Sequence, residues 1–440
     1  MISCRRRSDY GSWGRVVRAE HLVCKPHFTD ELPASAAELP DRPILPVGLR
    51  RSYGDTTLNA GHALLDMTGL DRFIRLDLDE GIVHAEAGLS IDSLLQVIVP
   101  RGWFVPTTPG TRFVTLGGAV ANDVHGKNHH RMGSMGCSVM ELGLLRSDGT
   151  RQSLRPGDRL FAATVGGLGL TGIITDVILR LVPIRSAWLD VERIGFGNIA
   201  DFFRIARESE QDFEHTVAWI DCANTGRRLG RGVFQRANWL ADGRFEPHRG
   251  GAGLTMPFDL PRGTLNRYSI RAFNALYNRL ELSGPSTRRQ HYASSFYPLD
   301  SIRQWNRMYG KAGLYQYQCA VPTEVAETAV ADLVGVIAAA GAGSFLAVLK
   351  TFGTKQSPGL LSFPMPGATL ALDFANAGDK TLRLLAKLDE IVLKSGGRLY
   401  PAKDGRMPPH MFQAGYPKWT ELAALKDPAI ESDFWRRVSA

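Results

Sequence analysis

Three glycine-rich stretches carry most of the residues able to do chemistry. In the first, PVGLRRSYGD at 46–55, backbone N–H groups of a glycine-containing loop can converge on an anion, and Arg51 and Ser52 add side-chain donors. A pyrophosphate suits this pattern, and so does an ordinary strand-to-turn loop with surface arginines. The second runs from PTTPGT (106–111) through TLGGAVANDVHGKNHH (115–130) to GSMG (133–136). Gly117, Gly118, Ala119 and Ala121 let backbone approach a flat ligand, and Asn122, His125, Lys127 and Asn128 can orient it. The plain alternative is a glycine-rich crossover with histidines on its surface. His125, His129 and His130 lack ligand spacing and a carboxylate partner, so no metal is expected. The third stretch, GGLGLTGIIT at 166–175, contains the letters of a dinucleotide fingerprint at 167–172. Strand-forming residues follow where that fingerprint needs a helix, which argues against a nicotinamide Rossmann site.

The elements that must position these loops are short. Apolar runs at 43–47, 63–67, 81–87, 140–145 and 172–181 read as strands, 91–99 as a helix, and Asp148-Gly149 as a hairpin turn. Beyond Pro183 the texture changes to strand, helix, strand units: 187–194, 198–206 and 216–221, then 315–321, a helix capped by Thr323 and ending near Ala340, strands 345–352 and 368–374, and a helix from Lys380 to Lys394 stopped by Gly396 and Gly397. With a short strand after those glycines this predicts a β-α-β-β-α-β layer, helices on one face and an open sheet face to be covered on the other. Gln316 and Gln318, two apart on a strand, share one face, as do Trp219 and Asp221; Trp219 could stack on a sugar or isoprenoid or simply pack in a core. The stretch 240–310, rich in Arg, Gly and Pro, reads as irregular, either a lid or disordered chain.

The chain has 440 residues, enough for two domains, and 46 glycines without a period, above the usual share of about 7%. Lys and Arg number 52 against 44 Asp and Glu, a net charge of +8 that suits anionic cofactors or membrane surfaces. Basic residues are scattered except at 4–7, so nucleic acid is not expected as a partner. Five widely spaced cysteines, Cys4, Cys24, Cys137, Cys222 and Cys319, suggest a reducing compartment rather than a disulfide scaffold. Neither a spanning apolar stretch nor the apolar core of a signal peptide is present, so a cytoplasmic protein is expected, compatible with peripheral contact at the inner face of a membrane.

Taken in order, the three loops resemble the FAD domain of the vanillyl-alcohol oxidase and p-cresol methylhydroxylase superfamily. RSYGD (51–55), DVHGKNHH (123–130), YQYQ (315–318), LSFPMPG (361–367) and GGRLYPAKD (396–404) bring the likeness closer to the decaprenylphosphoryl-β-D-ribose 2′-oxidase family, from about Leu45 to the C-terminus. The resemblance implies an α+β, two-domain p-cresol methylhydroxylase-type fold: an FAD-binding domain at 1–184, an antiparallel-sheet substrate domain at 185–404, and a segment, 405–440, returning to the first. It implies an FAD-dependent oxidoreductase acting on a secondary alcohol of a sugar, here C2′ of a polyprenyl-phosphoryl ribose, with a short-chain NAD(P)H reductase as partner. A soluble aldonolactone or alditol oxidase, or a flavin-free partner-binding protein of the same fold, are the alternatives. Residues 46–55 hold no histidine for covalent attachment, so FAD is expected to be noncovalent. The cofactor-binding residues implied are Gly48, Arg51, Ser52, Tyr53 and Gly54 at the pyrophosphate. Pro109, Gly110, Gly117, Asn122, His125, Gly126, Gly169, Gly172, Ile173, Tyr400 and Lys403 follow along the rest. Catalysis falls to Lys403, His125, Lys127 and Tyr53, with Lys403 as the cation near flavin N1; the substrate is expected against Lys127, Trp219, Gln316, Gln318 and Lys350. Cys137 is expected to be a buried thiol. Two positions depart from the family pattern: Arg50 replaces a usual glycine, and Ala371 stands where mycobacterial members carry a cysteine.

Overall fold

The computed structural model describes residues 3–32, 43–249 and 253–440. Strands Cys4–Arg7, His21–Cys24, Ala63–Asp66 and Ile44–Val47 form one sheet in that spatial order, the last three mutually parallel. Cys4 and Cys24 are direct cross-strand partners and form a disulfide, which corrects the expectation of unpaired cysteines. Strand pairing brings together two residues whose spacing gave no sign of it. Cys137, Cys222 and Cys319 are free.

A five-stranded antiparallel sheet follows, ordered Phe73–Asp77, Ile82–Glu86, Ile173–Arg180, Val139–Leu145, Arg151–Leu154. The helix Ile91–Ile98, capped by Ser90, buries Ile91, Leu94, Leu95 and Ile98 in the core beside it.

The second large sheet has eight antiparallel strands, ordered Thr287–His291, Trp188–Phe196, Gly232–Trp239, His215–Ile220, Ala347–Phe352, Gly367–Ala375, Leu314–Pro322, Arg398–Leu399. Strand period two divides its faces. Ala218, Ile220, Tyr317, Cys319, Ala347, Leu349, Leu370 and Leu372 pack in one core with residues of the helices Ile199–Ser209, Ala326–Ala339 and Asp379–Lys394. Val217, Gln316, Gln318, Val348, Lys350, Thr369 and Ala371 point to the opposite face. Thr323 does not cap the helix as expected: it opens a short 3-10 turn, and the α-helix begins after Val325 without a side-chain cap.

The stretch 240–310 is not structureless. Among its described residues are the helix Arg267–Leu282, capped by Asn266, the strand Thr287–His291, and the helix Tyr292–Phe296. Residues 250–252 lie outside the description. The tail 405–440 returns to the first sheet. Asp433 N–H donates to Leu58 O, Ile44 N–H donates to Ala429 O, and Arg437 donates to both Asp55 carboxylate oxygens at 2.7 and 2.9 Å.

Candidate active site

A cavity of about 700 Å³ lies between the open face of the eight-stranded sheet and the glycine-rich loops. At one end the 46–57 segment crosses above the short helix Leu116–Ala121. Gly48 sits so close to Thr115 that a Cβ would overlap its hydroxyl, and Thr115 in turn accepts from Gly118 N–H. Arg50 takes the left-handed conformation (φ 51°) that a glycine adopts without strain; its guanidinium stacks 3.8 Å above the Tyr10 ring and faces Asp66. The loop therefore keeps its path despite the arginine. Arg51 lies over Trp13 at 4.2 Å and donates to Phe113 O. Thr56 and Thr57 line the same end, their hydroxyl oxygens buried with no hydrogen-bond partner among the described residues.

At the other end side chains converge from four elements. His125 lies among Phe352, Phe363 and Tyr400, its ring 4.9 to 5.7 Å from theirs. Its Nε2 is 3.0 Å from the Gln318 amide and its Nδ1 3.3 Å from Lys350 Nζ. Burial, reinforced by Lys350, holds His125 well below its ordinary pKa, so the ring is neutral. A neutral imidazole donates at one nitrogen and accepts at the other. The Gln318 amide nitrogen faces Nε2 and also donates to Thr369 Oγ1, so Nε2 accepts and Nδ1 carries the hydrogen toward Lys350 Nζ, which suits the neutral amine. An ammonium at Lys350 can only donate and would call for the opposite tautomer and the amide carbonyl. The proton on Lys350 is thus coupled to the orientation of a cavity amide.

Three lysines face this space. Burial lowers Lys127 to about 8, Lys350 to about 7 with help from its two lysine neighbours, and Lys403 to about 8. Lys127 Nζ donates to Ser295 O, and Lys403 Nζ rests 4.1 Å above the Tyr53 ring. Behind them, Asp373 accepts from the Gln316 amide at 2.7 Å; burial pushes its carboxyl up to about 7, and its second oxygen is buried without a partner. Such a site favours an anionic ligand, whose charge would favour the ammonium forms of Lys127 and Lys403.

Of the residues expected from sequence, Gly48, Arg51, Ser52, Tyr53, Pro109, Gly110, Asn122, His125, Gly126, Lys127, Gly169, Gln316, Gln318, Lys350, Tyr400 and Lys403 line the cavity. Five do not. Gly54 presses on the backbone of Asp404, Gly117 on Ala87, and Gly172 on Leu144, each where a Cβ would collide; they shape the loops from behind. Ile173 is a core residue of its strand. Trp219 stands outside the cavity, its ring 4.8 Å from Tyr277 and its indole N–H donating to Phe345 O, because the helix Arg267–Leu282 covers that part of the sheet. His129 and His130 also turn away, toward Gly353 and Phe213 O. Cys137 is half-buried rather than buried and does not line the cavity. Thr56, Thr57, Trp13, Asp300 and Trp305 line it without having been anticipated. The threonines directly follow the first motif and could have been found by extending it; Asp300 and Trp305 come from the stretch read as irregular.

The FAD binding domain family matches residues 21–155, which include the 46–57 and 106–130 loops. Decaprenylphosphoryl-beta-D-ribose oxidase of Mycolicibacterium smegmatis is 36% identical over 97% of this chain and 96% of its own length, so the likeness covers the lysine and glutamine face as well. The chain belongs to the decaprenylphosphoryl-β-D-ribose oxidase family. An uncharacterized Streptomyces coelicolor protein is 32% identical over 80% of this chain and 100% of its own, and L-gulono-1,4-lactone dehydrogenase of Mycobacterium tuberculosis 30% over 40% and 41%. As a member of this family the protein is an FAD-dependent oxidoreductase acting on a CH–OH group. The site fits the cofactor. The orphaned hydroxyls of Thr56 and Thr57 need a partner, and the glycines at 48 and 118 press so closely on Thr115 that side chains there would disturb the loop. Gly110 and Gly169 line the cavity without such crowding and let backbone face a ligand directly.

Proposed function

We propose that this protein oxidises C2′ of a polyprenyl-phosphoryl-β-D-ribose to the 2-keto sugar, the first half of an epimerisation to arabinose, using noncovalently held FAD. The observation that carries the reading is the convergence of Lys127, Lys350, Gln316 and Gln318 on the cavity that the FAD-binding loops close. The Lys127 ammonium suits a phosphodiester, and two amides on one sheet face suit adjacent sugar hydroxyls.

The 46–57 loop, with Thr56 and Thr57, would hold the pyrophosphate, and Asn122, Gly126, Tyr400 and Lys403 the remainder. Bound FAD supplies the two-electron acceptor for the hydride. Lys403, held by burial beside the Tyr53 ring, provides positive charge in a water-poor site. Lys350, near its midpoint at neutral pH, is matched to accept the hydroxyl proton, and His125 orients it. Gln316 is steadied by Asp373.

We also read residues 1–184 as the FAD-binding domain, 185–404 as the substrate domain and 405–440 as a return segment, together a p-cresol methylhydroxylase-type arrangement. The separate five- and eight-stranded sheets and the Arg437–Asp55 contact support this division. A keto product held on a lipid phosphate calls for a short-chain NAD(P)H reductase to complete the epimerisation. No helix among the described residues is long and apolar enough to cross a membrane, and we place the protein in the cytoplasm, meeting its lipid substrate at the membrane face.

Anaerobic mixing with polyprenyl-phosphoribose, followed by loss of the oxidised flavin absorbance, tests the reading. Bleaching by free alditols or aldonolactones but not by the lipid phosphosugar would overturn it.

A further inference from the structure

The helix Arg267–Leu282 is inside out. Its inward side is held largely by polar contacts. The Asn274 amide donates to Asp221 at 2.9 Å and to Ser344 O, and Glu281 pairs with the buried Arg193 at 2.9 Å. Ile270 is its one buried apolar side chain, and Tyr277 meets Trp219. Its outer side carries Leu276 and Leu280, each 57% exposed, and Phe273, 45% exposed with one edge against Phe345; spaced i, i+3 and i+7, the three form one stripe. Leu276 and Leu280, more than half exposed, bury little apolar surface in the fold itself.

The surroundings are basic. Residues 253–311 carry nine Lys and Arg against three Asp and Glu, a net +6 out of +8 for the whole chain. Arg262, Arg267, Arg271 and Arg279 are exposed on or just before the helix, whereas its single acid, Glu281, is turned inward. The same segment borders the cavity: Leu254, 81% exposed, pairs with Ile302, and Ile302 and Arg303 line the opening.

We infer that the outer face of the Arg267–Leu282 helix, with Leu254, is the surface by which the protein seats on an anionic lipid bilayer. Phe273, Leu276 and Leu280 enter the acyl boundary while the arginines reach the phosphate headgroups, as in other in-plane amphipathic helices. This deepens the proposed function, since a substrate with a polyprenyl tail would enter from the bilayer beside Ile302.

The test is co-sedimentation of the FAD-loaded enzyme with phosphatidylglycerol-containing or pure phosphatidylcholine vesicles. Wild type should partition onto the anionic vesicles and release as salt is raised. Leu276→Asp with Leu280→Asp should lower partition at least tenfold. Arg271→Gln and Arg279→Gln should each lower it roughly fivefold. Leu382→Asp with Leu393→Asp, 37% and 39% exposed on another helix, should leave it unchanged. Flavin bleaching by detergent-dispersed lipid phosphosugar should be unaltered in the Leu276/Leu280 variant, which separates failure of the seating surface from failure of the substrate reading. Wild type that ignores anionic vesicles overturns the inference, as does undiminished binding by the Leu276/Leu280 variant. So does a concentration-dependent dimer, in place of vesicle binding, that those substitutions dissociate, since it would assign the stripe to a second copy.

Discussion

Lys350 Nζ and the Gln318 amide grip opposite nitrogens of one buried imidazole, at 3.3 and 3.0 Å from His125. The lysine lies near its midpoint at neutral pH, so its proton decides which nitrogen of His125 carries hydrogen and which atom of the Gln318 amide faces it. With Lys350 as proton acceptor, the rate of flavin reduction should rise with pH through about 7. In Lys350→Met that limb should vanish and the rate should fall by about 10²–10⁴. Stopped-flow absorbance across pH 5.5 to 9 (roughly, within the range set by ordinary titration) measures both. A limb that persists in the variant would assign it to another group.

The same burial should leave its mark on stability without ligand. Lys350 falls from 10.5 to about 7 on folding, so between those values the unfolded chain binds more protons and stability rises with pH. Asp373 climbs from 3.8 to about 7, so over that interval the folded protein binds more protons and stability falls as pH rises. Together they predict a dip near pH 7 in the melting temperature of the FAD-free protein. Asp373→Asn should flatten the acid side and Lys350→Met the alkaline side.

Lys403→Ala should retain FAD, since the proposed site also holds the cofactor through the 46–57 and 106–126 loops, yet reduce it about 10²–10³-fold more slowly. Absorbance of the purified variant and its single-turnover bleaching check the two halves separately. A colourless variant would make Lys403 a binding residue first.

Much of this site was legible because its chemistry is concentrated in continuous motifs. His125, Gly126 and Lys127 are consecutive, and Gln316 and Gln318 declare their shared face by spacing alone. Six of the eight strands of the large sheet were visible in the sequence, helped by one apolar face packed under helices and one polar face, whereas Gly232–Trp239 and Thr287–His291 were not. What escaped was long-range. Nothing near Cys4 announces Cys24, and nothing near Trp219 announces that a helix 50 residues later would cover it. That helix carries apolar residues at helical spacing (Ile270, Phe273, Leu276, Tyr277, Leu280) behind the Asn266 cap, but lay in a stretch whose Arg, Gly and Pro content suggested irregular chain, and the spacing does not say which face turns outward. Asp55 shows the same limit. It was quoted as part of a loop motif, but its partner Arg437 lies 382 residues away.

That distant pair yields a further expectation. Arg437→Ala strands the Asp55 and Asp404 carboxylates, both largely buried, behind the 46–57 loop. Breaking a fully buried pair costs about 3–5 kcal/mol, and partial exposure of Arg437 reduces this to about 2–3. Chemical denaturation should register the loss, with weaker FAD retention because the loop is no longer braced.

Thr56 and Thr57 separate a ligand role from a structural one most cleanly. Their hydroxyls are buried without partners in the protein, so in the FAD-free state they impose a desolvation cost of about 1–3 kcal/mol each. Replacing either with valine removes that polar group while nearly preserving shape. Thr56→Val and Thr57→Val should therefore leave the melting temperature of the FAD-free protein unchanged or raise it. If the hydroxyls donate to the cofactor pyrophosphate, each substitution should weaken FAD binding about tenfold, the equivalent of about 1.4 kcal/mol. Calorimetric titration of FAD into the deflavinated variants measures the second effect and thermal melts the first. Opposite signs would mark the hydroxyls as reserved for the ligand, whereas destabilisation with unchanged affinity would assign them to the fold and move the pyrophosphate elsewhere along the loop.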